Sequence, residues 1–467
     1  MKKKNISLIL VVIFGLLFII KPTETKKIIF SLIPDKVENN LKVKIKSLID
    51  NSPIEVQYIA KILFKNSSNR RFEGLPSSIE VFNNDYNVKF LPETQTINLK
   101  LIKKFISINS NSEVKKKGDK LYADDGTYIS INPSIIRSMD IYNDNLLIAY
   151  GINNFAYSKI HFKTILSQEN IEFKEIKTNF KNGRILDISI SDEIIYISYV
   201  TKKNNCNYLN IFFAEISLDI INFKPLLESD ECSKQSMFGG RIKKYNHNGR
   251  NGILITTSEI KMNAPSNNAQ SDQSIIGKIL FLDTISKNVI NFSKGHRNPQ
   301  GLYVEDKLIL STEHGPQGGD EINKIVFGGN YGWPLASYGS RYNKIRNGEN
   351  NIEANKSLKY NKSHSEMSFI EPVYSFIPSI GISEMIKIPT NFSEEFKDNF
   401  FISSLNDKSL YRIKFSKNFS RVIYSEKIYI GHRIRDIKFD QNNNNFILLL
   451  EDPNGPKFGF LINHNDE

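Results

Sequence analysis

The sequence lacks any segment in which basic and aromatic residues are concentrated together, although its 467 residues carry a formal net charge of +12. Its lysines are spread along the whole chain. A nucleic-acid-binding surface normally gathers Lys, Arg and aromatic side chains on one face. The charge therefore predicts a solvated basic surface, and nucleic acid is excluded as the expected partner.

Long apolar runs are also scarce, and only Ile6–Ile20 stands out. It follows the basic segment Lys2–Lys4, which is the pattern of an export signal. As a helix the run would span roughly 22 Å, less than the ~30 Å of a bilayer core. However, Lys21–Thr25 offers no small-x-small cleavage site, which leaves an uncleaved anchor open. We predict an exported protein, periplasmic or cell-surface, whose residues 1–25 are a signal peptide or an N-terminal membrane anchor.

Cysteine is nearly absent, since only Cys206 and Cys232 occur. They flank two predicted strands, Tyr208–Ile216 and Ile220–Leu227, so a disulfide between them is compatible with an oxidising compartment. Two free buried thiols are the alternative, and the sequence leaves both open.

Helical periodicity is confined to Asp35–Lys65, where apolar residues recur at roughly helical spacing. Within it, Ser52–Glu55 has the cap, first-turn proline and capping-box acid of a helix start. We predict that residues 26–84 form a helical extension, which either acts as a spacer or packs on the domain that follows. Residues 85–467 carry short β runs between polar turns and are predicted to form one all-β domain.

A unit of two β runs separated by a polar turn recurs six times along this domain. The paired runs are Ser138–Tyr142 with Leu146–Tyr150, Ile185–Ile190 with Ile194–Val200, Arg241–Tyr245 with Gly252–Thr257, Gly301–Val304 with Leu308–Ser311, Ser383–Ile388 with Asn399–Ser404, and Arg435–Phe439 with Phe446–Leu450. Recurring hairpins at this spacing, some followed by further β runs, are typical of propeller blades. We therefore predict a six-bladed β-propeller with a short helical N-terminal extension. A β-sandwich with insertions is the alternative, but it does not explain six similar hairpins.

The densest group of candidate functional residues lies in the fourth unit, Gly295–Pro334. In an antiparallel hairpin the start of the first strand and the end of the second lie at the same edge. His296–Asn298 and Glu313–Pro316 should therefore face each other across one rim. The turn Gly315–Gly319 cannot be regular helix or strand, and such turns expose the backbone carbonyls that Ca²⁺ accepts as ligands.

Arginines from three units should converge on the same mouth of the channel. Arg241, Arg297 and Arg435 all lie in loops that enter the first strand of a unit. Together with the carbonyl-rich turn they would suit a small anionic ligand bridged by a cation. The alternative for each arginine is an ion pair between blades, because charged groups near a core are normally paired.

Three motifs carry a specific resemblance: GHRNPQGL (Gly295–Leu302), EHGPQGGDEIN (Glu313–Asn323) and GNYGWP (Gly329–Pro334). They resemble the quinoprotein glucose/sorbosone dehydrogenase family, especially its aldose sugar dehydrogenase branch. The resemblance extends from about Arg137 to the C-terminus. It implies a six-bladed propeller that uses pyrroloquinoline quinone (PQQ), held by Ca²⁺ at the channel mouth, to oxidise the anomeric hydroxyl of aldoses.

The resemblance also implies roles for residues of this chain. The backbone carbonyls of Gly315 and Pro316 match the positions that hold the calcium. The implied cofactor-binding residues are Arg297, Asn298, Gln300, Tyr331, Trp333, Asn406, Arg433 and Arg435. The implied partners are a sugar substrate and an unidentified electron acceptor.

The chain departs from the family at two reactive positions. The family's catalytic histidine directly precedes the Phe-Gly-Gly/Ser-Arg motif, where this chain has Met237, whose thioether cannot accept a proton at neutral pH. The family's lysine over the cofactor matches Asn406, which brings no charge. Glu259 matches an acid that orients the histidine, and it is the candidate substitute base if burial raises its pKa. Losing a positioned base costs about 10²–10⁴-fold in rate.

Two functions from different classes follow. The first is a PQQ- and Ca²⁺-dependent sugar dehydrogenase that transfers hydride to the quinone, which Arg297, Arg433 and Arg435 favour. The alternative is a catalytically degenerate propeller that binds a cofactor, a glycan or a protein, which Met237 and Asn406 favour.

Overall fold

The computed structural model describes residues 79–82, 87–90, 99–108, 115–117, 120–122, 128–129, 136–167, 170–180, 183–233, 239–260, 268–316, 318–339, 364–452 and 456–463. All of them belong to residues 71–467, one of two units into which the chain divides; the other is residues 1–70. The predicted leader and most of the predicted helical extension lie outside the described residues. Within the described residues, no helix has the length and apolar character needed to cross a bilayer.

Six strands precede the first blade in the described part of the chain. They are β1 (Ile79–Phe82), β2 (Asn87–Phe90), β3 (Leu99–Ile108), β4 (Lys115–Lys117), β5 (Lys120–Tyr122) and β6 (Tyr128–Ile129). Strands β1 and β2 form an antiparallel pair, and β4, β5 and β6 form a three-stranded sheet. Strand β1 falls in the segment where the sequence predicts the helical extension, whereas β3 is part of the propeller.

The first three blades each contain four antiparallel strands in chain order. Blade 1 consists of β7 (Ile136–Tyr142), β8 (Asn145–Tyr150), β9 (Asn154–Lys159) and β10 (Ile171–Thr178), with helix α1 (Phe162–Leu166) before β10. Blade 2 consists of β11 (Arg184–Ser191), β12 (Ile194–Lys203), β13 (Cys206–Glu215) and β15 (Lys224–Glu228), while β14 (Ile220–Ile221) pairs with β10. Blade 3 consists of β16 (Ile242–His247), β17 (Arg250–Thr256), β18 (Lys278–Asp283) and β19 (Val289–Lys294), with a 3-10 helix at Asn268–Gln270.

The last three blades follow the same plan. Blade 4 consists of β20 (Pro299–Glu305), β21 (Leu308–Glu313), β22 (Asp320–Lys324) and β24 (Tyr374–Phe376); β23 (Gly329–Asn330) pairs with β19, and a 3-10 helix spans Ser365–Met367. Blade 5 consists of β25 (Ile382–Lys387), β26 (Asn399–Ser404), β27 (Ser409–Phe415) and β28 (Val422–Tyr429). Blade 6 consists of β29 (Arg433–Asp440), β30 (Asn445–Glu451), β31 (Lys457–Asn463) and the early strand β3.

The predicted six-bladed β-propeller is confirmed. Each of the six predicted hairpins forms the first two strands of one blade. The first strands β7, β11, β16, β20, β25 and β29 contact one another in a closed ring, with β29 returning to β7. The start of each first strand and the end of each second strand therefore share one mouth of the channel.

The apolar core lies between neighbouring blades and forms six clusters, one for each blade interface. Between blades 5 and 6, for example, the rings of Phe401 and Phe446 lie 5.0 Å apart at 82°. The second strands of blades 1, 4, 5 and 6 are buried along almost their whole length, because blades on either side cover both of their faces. This explains why the second run of each predicted unit is the more apolar one.

Strand β3 closes the ring. It pairs antiparallel with β31 along Leu99–Phe105, and its end pairs in parallel with β10 of blade 1. The N-terminal part of the domain thus supplies the outermost strand of a blade whose other three strands come from the C-terminal end. The sequence patterns do not reveal this pairing.

The two cysteines form a disulfide, which decides between the two alternatives left by the sequence. Cys206 begins β13, and Cys232 follows β15. Next to the bridge, Asn207 and Ser233 exchange backbone hydrogen bonds of 2.8 and 3.0 Å. The chain is therefore fixed to blade 2 immediately before residues 234–238, which lie outside the described part of the chain.

Candidate functional site

The mouth of blade 4 has the arrangement predicted from its hairpin. Strands β20 and β21 pair Pro299 with Glu313, and the His314 amide donates to the Asn298 carbonyl at 3.1 Å. The loops before β20 and after β21 therefore face each other across one rim.

A buried carboxylate holds the loop before β20 in place. Glu313 Oε1 accepts hydrogen bonds from the backbone amides of Arg297 and Asn298, and its Oε2 lies 3.0 Å from His296 Nδ1. The other ring nitrogen of His296 lies 2.8 Å from Ser293 Oγ, and the ring stacks on Tyr331. Glu313 and His296 thus support the site and already have partners.

Arg297 lies beneath the only tryptophan of the chain. Its Nη1 donates to the His314 carbonyl at 2.9 Å, and its guanidinium carbon lies 5.3 Å from the Trp333 ring centre. The Trp333 carbonyl accepts a hydrogen bond of 2.6 Å from Gln270, which fixes the turn. Tyr331 directs its hydroxyl into the blade, where it donates to the Lys324 carbonyl at 2.6 Å. Only the ring of Tyr331 is therefore available to the site.

A small cavity with room for about one water molecule opens between these groups. It is lined by Gly295, Arg297, Glu313, His314, Gly315, Glu321, Tyr331, Trp333, Ala336 and Ser337. Burial, reinforced by the Glu313 carboxylate, raises the pKa of Glu321 to about 8. Burial also lowers the pKa of His314, opposed by Asp320 and assisted by Arg297 and Arg435. His314 therefore lies within electrostatic reach of both arginines, and its Nε2 has no hydrogen-bond partner among the described residues.

The turn after β21 is held by one carboxylate. Asp320 Oδ1 accepts the Gly315 amide at 3.0 Å, and its Oδ2 accepts the amides of Gly381 and Ile382 at 2.7 and 3.0 Å. A Cβ at Gly315 would overlap the carbonyls of Gly318 and Gly319, so a glycine is required there. The described residues contain no cluster of three or more His, Cys, Asp or Glu side chains suited to a metal. A cation at this turn would rely on backbone carbonyls.

Two further arginines reach the mouth from blade 6. Arg433 Nε and Arg435 Nε donate to the two oxygens of Glu451 at 2.8 and 2.7 Å. Burial favours a raised pKa for Glu451, but Arg435 and Arg433 outweigh it and hold that pKa below its usual range. Two guanidinium groups thus share one carboxylate, which leaves an excess of positive charge at this edge.

The predicted amide residues lie on the same rim and bind each other. Asn298 Oδ1 accepts hydrogen bonds from Ser258 Oγ at 2.7 Å and from Gln300 Nε2 at 3.0 Å. Asn298 is buried, whereas Gln300 is partly exposed. Both side chains are placed where a ligand in the mouth would meet the start of β20.

The three arginines predicted to converge have different partners. Arg241 forms buried ion pairs between blades, which was the alternative to ligand binding. Its partners are Asp187 at 3.0 Å, Asp436 at 3.1 Å and Glu384 at 3.3 Å. Arg435 pairs instead with Glu451 of its own blade.

Two of the remaining candidates, Glu259 and Asn406, do not line the cavity. Glu259 is buried, and burial raises its pKa although the amides of Ala269 and Asn268, at 2.6 and 3.3 Å, and nearby Lys278 oppose the shift. It does not line the cavity. Asn406 is exposed in the turn between β26 and β27. Met237 lies outside the described residues.

Sequence reasoning assigned no role to His314, Glu321 or Gln270. Glu321 enters the cavity because β22 pairs it with Glu313. Gln270 reaches the site through hydrogen bonds to Asn330 and Trp333. The EHGP motif contains His314 and the DEIN motif contains Glu321. Only the folded structure shows that both residues line one cavity.

We expect the stability of the protein to depend on pH through Glu321. The folded protein retains the Glu321 proton up to about pH 8, whereas an unfolded glutamate releases it near 4.5. The free energy of unfolding should therefore fall as pH rises from about 4.5 to about 8. Urea unfolding of wild type and Glu321→Gln across this range should show the fall in wild type only. Exposed Glu172→Gln is the control, and parallel curves for wild type and Glu321→Gln would contradict the expectation.

The amino-acid sequence is similar to those of known proteins. Residues 166–458 match the family model described as glucose/sorbosone dehydrogenase. The chain is 28% identical over 240 residues to aldose sugar dehydrogenase YliI of Escherichia coli, covering 47% of this chain and 59% of that protein. It is 26% identical over 282 residues to quinoprotein glucose dehydrogenase B of Acinetobacter calcoaceticus, covering 56% and 54%. The chain spans about half the length of the curated relatives it matches.

Solved structures share the fold. A glucose dehydrogenase superposes with a TM-score of 0.57 at 22% identity, covering 70% of this chain and 96% of that chain. The apo form of the soluble aldose sugar dehydrogenase of Escherichia coli superposes with a TM-score of 0.57 at 20% identity, covering 71% and 97%.

Proposed function

The chain belongs to the glucose/sorbosone dehydrogenase family, and we propose on that basis that it is an exported, PQQ- and Ca²⁺-dependent sugar dehydrogenase. The observation that carries the proposal is the grouping of Arg297 and Arg435 within electrostatic reach of His314 at one mouth of the channel, with Arg297 against the Trp333 ring. One of the relatives is a quinoprotein by name. The substrate would be a sugar, and the electron acceptor is unidentified.

The charges and hydrogen-bond donors at the mouth would suit a molecule that carries carboxylates. Arg433 and Arg435 share the single carboxylate of Glu451, so their remaining donors suit further anionic oxygens. Trp333 supplies an aromatic face, and His314 Nε2 is a buried ring nitrogen that lacks a partner among the described residues. Asn298 and Gln300 would complete the rim with amide groups.

The backbone carbonyls of Gly315 and Pro316 would hold the cation. Asp320 fixes the turn through the Gly315 amide, which would limit the rearrangement needed when an ion binds. Carbonyl and carboxylate oxygens are the ligands that Ca²⁺ prefers. The carboxylates of the cofactor would supply the charge that the turn lacks.

Bound there, PQQ would accept the hydride that leaves the anomeric carbon of the sugar. The guanidinium groups of Arg297 and Arg435 would stabilise the negative charge that develops on the quinone oxygens. Glu259 is the proposed substitute base for the hydroxyl proton, supported by its raised pKa.

A second function, a binding module without turnover, is favoured by one observation. Both carboxylate oxygens of Glu259 are engaged by backbone amides, and the side chain does not line the cavity. Asn406 and Met237 stand where the family has a lysine and a histidine. In this case the mouth would still bind an anionic cofactor.

Calorimetric titration of the purified protein with PQQ, with and without Ca²⁺, tests the proposal. Tight binding that requires Ca²⁺ is the expected result. A dye-coupled sugar assay then separates the two functions, with Glu259→Gln testing the base. Absence of binding in the presence of Ca²⁺ would overturn the cofactor assignment, and glycans and proteins would become the ligands to test.

Arg297→Ala is expected to weaken PQQ binding by about 10- to 100-fold. A hydrogen bond to a charged group contributes about 1.5–3 kcal/mol, and alanine removes both the charge and its donors. Arg297→Lys should lose less, because it keeps the charge but not the planar fork. Calorimetry measures the change, with the exposed Arg421→Ala as control. Equal affinities for the Arg297→Ala and Arg421→Ala proteins would contradict the expectation.

A further inference from the structure

One buried guanidinium joins the channel wall to the mouth. Arg241 lies at the start of β16 in blade 3, and it forms ion pairs with Asp187 of blade 2, Glu384 of blade 5 and Asp436 of blade 6. All four side chains are buried. A single residue of blade 3 thus links three other blades across the channel.

Two more hydrogen bonds of Arg241 go to the backbone of residues assigned to the cofactor site. Nε donates to the Gln300 carbonyl at 2.6 Å, and Nη2 donates to the Arg435 carbonyl at 3.2 Å. Gln300 lies in β20 beside Pro299, and Arg435 lies in β29 opposite the end of β30. The guanidinium therefore lies directly below the two strands, β20 and β29, that carry Gln300 and Arg435 to the mouth.

We infer that Arg241 is a positioning residue for the mouth site. Its guanidinium donates to both carbonyls and is itself held by three carboxylates. It thereby fixes the backbone of Gln300 and Arg435 at a set separation. The side chains of Arg435 and Gln300 then reach the mouth from a rigid base. For ligand affinity this inference rests on the proposed function, but the fixing of the backbone does not.

The geometry requires arginine at this position. The three guanidinium nitrogens lie in one plane and donate to the carboxylates of Asp187 and Asp436 and to the two carbonyls, while the Glu384 carboxylate lies at ion-pair distance from Nε. A lysine offers three donors on one nitrogen. The preceding glycines allow the approach: a Cβ at Gly239 would meet the Pro299 carbonyl, and Gly240 has a φ of +87°. The Arg241 amide is itself held by Thr256 Oγ1 at 3.0 Å.

The same channel contains a matched control. Lys438 is a second cation facing the channel carboxylates, with Nζ 3.6 Å from Asp140 Oδ1. Asp140 lies in β7 of blade 1, whereas Gln300 and Arg435 lie in blades 4 and 6. Replacing Lys438 by methionine therefore removes a channel cation without removing a bond to the mouth.

The test compares wild type, Arg241→Lys and Lys438→Met in three measurements. Hydrogen exchange follows the amides of residues 298, 300–302 and 433–437, calorimetry gives PQQ affinity, and urea unfolding gives stability. For Arg241→Lys we expect mouth amides that exchange about 10-fold faster and PQQ affinity that is about 10-fold weaker, since lysine cannot serve both carbonyls. For Lys438→Met we expect lower stability, with mouth exchange and affinity unchanged.

A purely structural role predicts a different pattern. Mouth exchange in Arg241→Lys equal to wild type, or changes in both variants that merely follow their loss of stability, would overturn the inference. If wild type binds no PQQ, the proposed function fails while the exchange data still decide the inference. If Arg241→Lys does not fold, Asp436→Asn replaces it, because that variant keeps Arg241 and weakens one anchor; it should speed mouth exchange in the same direction.

Discussion

Replacing Met237 by histidine is expected to raise the rate of sugar oxidation by about 10²–10⁴-fold in the presence of PQQ and Ca²⁺. Imidazole accepts a proton near neutral pH, whereas a thioether does not. Met237 directly precedes the Phe-Gly-Gly-Arg motif, and the resemblance predicts that it takes the place of the family's catalytic histidine. The measurement is kcat in a dye-coupled assay with a panel of aldoses.

Two controls make the Met237 result specific. Met237→Leu keeps an apolar side chain of similar size and should leave kcat unchanged. Combining Met237→His with Glu259→Gln should reduce the gain, because the matching family acid orients the histidine. A Met237→His protein that binds PQQ as tightly as wild type but shows no gain would contradict the expectation and favour the binding module.

The described residues on either side of the segment that carries Met237 are fixed in place. Gly239, two residues further along the chain, packs its backbone against the Pro299 carbonyl at the mouth of blade 4. On the other side, the Cys206–Cys232 disulfide and the Asn207–Ser233 backbone pair fix the chain to blade 2. The segment that carries Met237 therefore begins and ends at fixed points.

Removing strand β3 is expected to abolish cooperative folding. Leu99 and Leu101 pack on the core between blades 5 and 6, and Ile102 and Ile106 pack on the core between blades 6 and 1. Burying a large apolar side chain contributes about 1.5–3 kcal/mol, so four partly buried ones contribute on the order of 5 kcal/mol. This is comparable to the whole stability of a typical domain, about 5–15 kcal/mol.

The experiment compares a chain that begins at residue 91 with one that begins at residue 109. The first should unfold in a single thermal transition. The second should lack that transition and aggregate, because β31 would become an unpaired edge strand. Equal melting temperatures for the two chains would show that β3 does not close the ring.

The blade architecture was predictable because each blade is built mostly from neighbouring segments. A hairpin such as Gly301–Val304 with Leu308–Ser311 is recognisable from its alternating polar and apolar residues and its turn. Strand β3 was not, because its partner β31 lies near the other end of the chain. Neither strand carries a sequence pattern that identifies the other as its partner. The closing of the ring is therefore a property of the folded chain.

The candidate site, like the fold, was predictable from the sequence only in part. The motifs around Arg297 and Gly315 identified the mouth, because the residue types needed to hold an anion and a cation lie close together in sequence. They could not separate Arg241 from Arg435, since both are arginines at the start of a first strand. Only the ion pairs with Asp187, Glu384 and Asp436 show that Arg241 supports the channel wall.

By itself, therefore, the sequence determined the number of blades, and it predicted the mouth that carries the candidate site and the positions at which this chain departs from its family. Those properties depend on local pattern and residue type. The tertiary structure alone decided which charges meet, which thiols pair and which strand closes the ring. These depend on distances between segments far apart in the chain, and burial then sets the pKa of a group such as Glu321.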